Sequence, residues 1–158
     1  MLKKGVRFME NNHKKTAIDL FNSGFLCSQS VFAAYAKECG ITEEQALKTG
    51  ACFGAGMRKG EVCGALSGAL MVLGMFYGQS DKTRPRDRDR VNAATEKMME
   101  RFADLCGSYR CNELLGYDIS TPEGAAAAKA DRLFTEFCPQ MVEKAVDILD
   151  GIIADRRW

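Results

Sequence analysis

The sequence predicts an all-α fold, a bundle of about six to eight helices wrapped round one buried central helix. Three observations carry this expectation. Apolar residues recur at three- and four-residue spacing in one segment after another. Only 3 prolines occur in 158 residues, and no strand-like alternation runs for long. The run from Val62 to Gly78 contains no charged residue, and a helix apolar on every side is a buried helix. A membrane span needs about 20 apolar residues. This run is shorter and is interrupted by Gly64, Gly68, Gly74 and Gly78, so no membrane span is expected. The chain is long enough for a single helical domain over residues 1–158 with a real core.

In chain order, the first helix is expected over about His13 to Asn22, with Ala17, Ile18 and Phe21 on one side. Ser23-Gly24 ends it. A second helix follows from about Ser28 to Glu38, with Val31, Phe32 and Tyr35 inward, and Gly40 stops it. Thr42 caps a third helix reaching about Thr49, and Gln45 completes a capping box. The loop Phe53 to Gly60 leads into the central helix. Its glycines with Arg58 and Lys59 offer an anion cradle, but the lysine precedes the last glycine and no Ser or Thr follows it. Glu61 stands where a phosphate would be, so a connecting loop is the expectation.

Beyond Gly78 comes a charged connection, then a helix from Pro85, which suits a first turn, to Leu105. Its stripe is Val91, Ala94, Met98, Phe102 and Leu105. A short turn covers Cys111 to Gly116. Thr121 caps the next helix, whose apolar side is Ala126, Ala130, Leu133 and Phe137. Pro139 breaks that helix at Cys138 and opens the last one, where Val142, Ala145, Leu149 and Ile152 face the core.

Composition excludes some functions. The apolar fraction is 46%, the charged fraction 27% and the formal net charge +1. No global charge points to nucleic acid. Arg84, Arg86, Arg88 and Arg90 alternate with Asp87 and Asp89, as on a solvated helix end. The stretch MLKKGVRFMENNHKK lacks the apolar centre of a signal peptide, so a cytoplasmic location is expected. Static disulfides are rare there, and the 7 cysteines are an odd number. His13, the only histidine, lies in a polar segment and is expected to be solvated.

Cys27, Cys63, Cys111 and Cys138 share one property: each sits at or just before an expected helix start. Free N–H groups and the partial positive charge there favour thiolate over thiol. The dipole contributes up to about 2 kcal/mol, or about one and a half pKa units, so full activation also needs a cation or a metal. Cys39 and Cys106 end helices, Cys52 approaches the loop, and these three are expected to be structural. Gly64 and Gly68, with Ala65 and Ala69, make a smooth face that admits a second backbone or a bound cofactor.

With these residues in view, the chain resembles a family of redox-active proteins named for a C…CGAxxG…C…C pattern. The match is Cys27 in GFLCSQSV, then Cys63-Gly64-Ala65-Leu66-Ser67-Gly68, then Cys111 in GSYRCNELLG, then Cys138 before Pro139. Cys106 is an alternative third cysteine, and the ELLG context favours Cys111. The resemblance implies redox work by the four cysteines and supplies no substrate.

Three function classes follow. In the first, Cys63 is the candidate attacking thiol of thiol–disulfide exchange, with an unknown redox partner or small-molecule substrate. No two of the four cysteines form a CxxC unit. In the second, Cys27, Cys63, Cys111 and Cys138 hold zinc or an iron–sulfur cluster. In the third, the thiols are inert parts of a structural or binding domain. Met71, Met75, Met98 and Met99 suggest a face for a homodimer.

Overall fold

The computed structural model describes residues 12–155, and every regular element among them is helical. Nine α-helices follow in order among the described residues: α1 His13–Asn22, α2 Cys27–Ala34, α3 Ala36–Cys39, α4 Glu43–Gly50, α5 Gly64–Tyr77, α6 Pro85–Cys106, α7 Cys111–Leu115, α8 Pro122–Ala130 and α9 Cys138–Ala154. Two wider turns, Gly56–Gly60 and Leu133–Phe137, precede α5 and α9. The expectation drawn from the N-terminal stretch rests mainly on residues 1–11, which lie outside the described range. No helix among the described residues is long and apolar enough to cross a membrane.

The all-α expectation holds, and α5 is the central helix. It packs against α2, α6 and α9, while α1 closes over α2 and α9. Leu66, Ala69, Val72 and Leu73 of α5 meet Val31 and Phe32 of α2, Met98 and Phe102 of α6, and Val142, Ala145 and Leu149 of α9 in one core. Gly68 brings α5 close to the backbone of α2. A Cβ there would lie 2.6 Å from the Ser28 carbonyl oxygen and 3.0 Å from Val31 Cβ. The small-residue face therefore receives a helix backbone, the first of its two expected uses.

The local signals explain most boundaries. Thr42 Oγ1 accepts from the Gln45 N–H at 3.1 Å, and the Gln45 side chain accepts from the Thr42 N–H at 2.9 Å. Thr121 Oγ1 accepts from the Gly124 N–H at 3.0 Å. Gly40, at φ 71°, takes the left-handed position that ends α3.

Several expectations need correction. The second helix is two, α2 and α3, because Tyr35 leaves helical geometry at φ −110° and ψ 10°. Val62 is not helical; it forms an isolated antiparallel bridge with Arg110. Only the first part of α5 is enclosed, and Met75 is 47% exposed beyond the reach of α2. Leu105 faces solvent at the end of α6. On α8 it is Ala128 that is buried, while Ala126 and Ala130 are exposed. The helix expected to continue to Phe137 stops because Arg132 turns left-handed, at φ 57°.

His13 is the largest departure. It is buried, and its two ring nitrogens lie 3.1 Å from Asp150 Oδ1 and 3.0 Å from Glu38 Oε1. The ring stacks on Tyr35 with centroids 3.9 Å apart, and the Tyr35 hydroxyl donates to Asp150 at 2.7 Å. Polarity at positions 11–15 gave no hint of this, because the partners arrive from α3 and α9.

Candidate functional site

All four singled-out cysteines stand at helix starts. Cys27, Cys111 and Cys138 are the first residues of α2, α7 and α9, and Cys63 is the N-cap of α5. All four line one cavity of about 370 Å³. Cys39, Cys52 and Cys106 do not. Cys111, and not Cys106, lines the cavity with the other three. All seven cysteines are free thiols.

Two devices align them. The first is a short clamp between the loop before α5 and the start of α7. The Cys63 N–H donates to the Tyr109 carbonyl at 2.8 Å, and the Cys111 N–H donates to the Glu61 carbonyl at 2.6 Å. The half-exposed Arg110–Glu61 ion pair, at 2.9 Å, sits on the same clamp. Asn112, in the first turn of α7, braces it: its side chain accepts from the Ile119 N–H and donates to Asp118, each at 3.0 Å. Gly60, at φ 66°, holds a left-handed position that favours glycine, and a Cβ there would also crowd the Asn112 side chain.

The second device is the approach of α2 to α5. A Cβ on Gly64 would lie 2.3 Å from Cys27 Sγ, so the absence of a side chain at position 64 makes room for that sulfur. The backbone N–H groups of Ala55, Ser28, Cys27 and Ala65 face the Cys27 sulfur and oppose its rise in pKa, as those of Ala65 and Leu66 do for Cys63. Ala55 belongs to a left-handed turn in which Ala55, Met57 and Arg58 all have φ between 54° and 58°. Such a conformation costs an L-residue about 1–2 kcal/mol. Arg58 of this turn lies outside the cysteine cavity, in a smaller cleft with Ile119 and Ala125.

Burial outweighs the helix-end effect expected from the sequence. Desolvation pushes all four thiols up, since a buried thiolate loses its water. Cys111 and Cys138 each rise to about 12, by burial first and then by the charge an ionised Cys27 would carry. Cys63 rises well above its ordinary value, by burial and then by Cys27 and Cys111. Cys27 also rises by burial, but four N–H donors oppose the rise. Cys27 and Cys111 are each electrostatically coupled to the other three. Cys27 and Cys138 are half-buried, whereas Cys63 and Cys111 are buried.

The remaining wall is mostly apolar. Phe21, Phe25, Leu26, Phe134 and Met141 surround the sulfurs. Sequence reasoning missed this wall, because Phe21 ends one helix and Phe134 lies in a turn far along the chain. The Phe25-Leu26 pair beside Cys27 was the one local signal. Among the described residues no group of three or more His, Cys, Asp or Glu side chains is arranged to hold a metal ion. Of the methionines expected on a dimer face, Met98 is fully buried, while Met71 and Met99 line a shallow groove with Phe53 and Met57.

Compared with models of known families, residues 25–152 match the one described as "Putative redox-active protein (C_GCAxxG_C_C)". The label writes glycine before cysteine, whereas this chain reads Cys63-Gly64-Ala65. No curated protein and no solved structure matches the chain.

Proposed function

The chain belongs to this redox-active family, and from that premise we propose that it performs thiol–disulfide exchange at the four-cysteine cavity. The observation that carries the reading is the gathering of four free thiols, from four separate helix starts, into one cavity. Cys27 takes the attacking role expected of Cys63, because it is partly open to solvent whereas Cys63 is buried. Cys63, beneath it, resolves.

The exchange balances as follows. The Cys27 thiolate attacks one sulfur of a substrate disulfide, that S–S bond breaks, and the first substrate thiol leaves with a proton. Cys63 then loses its proton and attacks Cys27 Sγ in the mixed disulfide. The second substrate thiol leaves, and two protein thiols have become one disulfide. Ala55, Ser28 and Ala65 hold the Cys27 sulfur through their N–H groups while it is charged. Cys111 and Cys138 supply a second dithiol beside the same centre.

The test is oxidation of the reduced protein with a neutral small disulfide, followed by peptide mass mapping without reduction. A Cys27–Cys63 disulfide is expected. Cys27→Ser should abolish it, and Cys39→Ser or Cys52→Ser should not. Disulfides confined to Cys39, Cys52 and Cys106 would refute the reading.

A further inference from the structure

We infer that the disulfide this cavity accepts is uncharged and flanked by apolar groups. The inference rests on the exchange reading above and names its substrate class. None of the residues lining the cavity is Asp, Glu, Lys, Arg or His. The polar side chains there, apart from the thiols, are Asn22 and Thr135. At the rim, Phe25 and Leu26 remain 38% and 41% exposed. Phe21, Phe134 and Met141 continue that surface inward to the sulfurs. A large apolar side chain left open at the mouth of a thiol-lined cavity is ready to cover an apolar substrate.

Charge decides the other half of the argument. An anionic disulfide such as oxidised glutathione would have to bring carboxylates against phenyl rings and thiols. No lining cation would replace their water, and burying unpaired charge is strongly unfavourable. Arg58 does not supply the cation, since it sits in the neighbouring cleft behind Ala55 and Phe134. The negative charge that forms on Cys27 would add repulsion. A neutral disulfide meets none of these penalties. Two protein thiols become a disulfide, one substrate disulfide becomes two neutral thiols, and the net charge of the cavity is unchanged.

Two chromogenic disulfides of similar size test this: neutral dithiodipyridine and dianionic dithiobis(nitrobenzoate). Each reacts with the reduced full-length protein, and each rate is divided by that reagent's rate with mercaptoethanol. Quenched samples are mapped by peptide mass, so that exposed Cys52 is an internal reference. At Cys27 the neutral reagent should lead by about tenfold or more, as expected when a charge enters an apolar site without a partner; at Cys52 the ratio should stay near one. Thr135→Lys or Asn22→Lys, each at an exposed position on the cavity wall, should narrow the ratio at Cys27 and leave Cys52 unchanged. Equal normalised rates at Cys27 would overturn the inference while leaving exchange intact. Reaction of Cys52 with both reagents and of Cys27 with neither would overturn the exchange reading, and this inference with it.

Discussion

Replacing Gly68 by alanine tests the contact that sets α2 against α5. The added methyl would lie 2.6 Å from the Ser28 carbonyl oxygen, 3.0 Å from Val31 Cβ and 3.3 Å from the Phe32 nitrogen. Two of these are backbone atoms, so no side-chain rotation relieves the clash. Overpacking of this kind costs about 1–3 kcal/mol, and the gain in helix propensity returns about 1 kcal/mol at most. The net expectation is a loss of up to about 2 kcal/mol, or up to about 8 °C in Tm for a domain of this size. Gly74 is the control on the same helix, where an added Cβ meets nothing within 4 Å. Gly74→Ala should gain up to about 1 kcal/mol. Urea denaturation of both variants, followed by circular dichroism, gives the comparison. Because α2 carries Cys27 and α5 begins at Cys63, Gly68→Ala should also slow formation of the Cys27–Cys63 disulfide. If Gly68→Ala proves as stable as Gly74→Ala, the close α2–α5 packing described here is wrong.

Two further outcomes follow from titrating groups. Burial pulls the pKa of His13 down, but hydrogen bonds to Asp150 and Glu38 and the charges of both raise it above its ordinary 6.5. A raised folded value means that protonated His13 stabilises the fold, fully so below pH 6.5 and less as pH climbs through the folded value; Glu38 and Asp150 accept from it, while Asp147 nearby pairs with Lys14 at 2.7 Å. Stability measured by urea denaturation should therefore decline as pH rises above about 6.5, and His13→Gln should remove most of that slope; an unchanged slope would place its origin elsewhere. Cys111 and Cys138, pushed up to about 12, should resist iodoacetamide at pH 7–9 in the native protein and react readily once it is unfolded. Rates resolved by peptide mass check this, and native rates equal to those of exposed Cys52 would contradict the burial.

The sequence by itself determined the helical class, the central helix, most helix starts and the identity of the four cysteines. These are local properties. Thr42 and Gln45 close a capping box within four residues, Pro85 and Pro122 fit first turns, and the three-four stripe of Ala94, Met98 and Phe102 needs no partner to be read. Even the placement of Cys27, Cys63, Cys111 and Cys138 at helix starts follows from local capping and breaking signals. Tertiary structure decided what those positions are worth. The helix ends that should lower the thiol pKa values are enclosed by Phe21, Phe134 and Met141, and desolvation exceeds the dipole. His13 reads as solvent-facing from its neighbours, yet Glu38 and Asp150 arrive from helices far along the chain to enclose it. Gly64 and Gly68 announce a close approach without saying of what, and only the packed fold shows that it is Cys27 and the backbone of α2. Local chemistry is written in neighbouring residues; burial and charge balance depend on which distant segments meet, and long-range packing alone sets that.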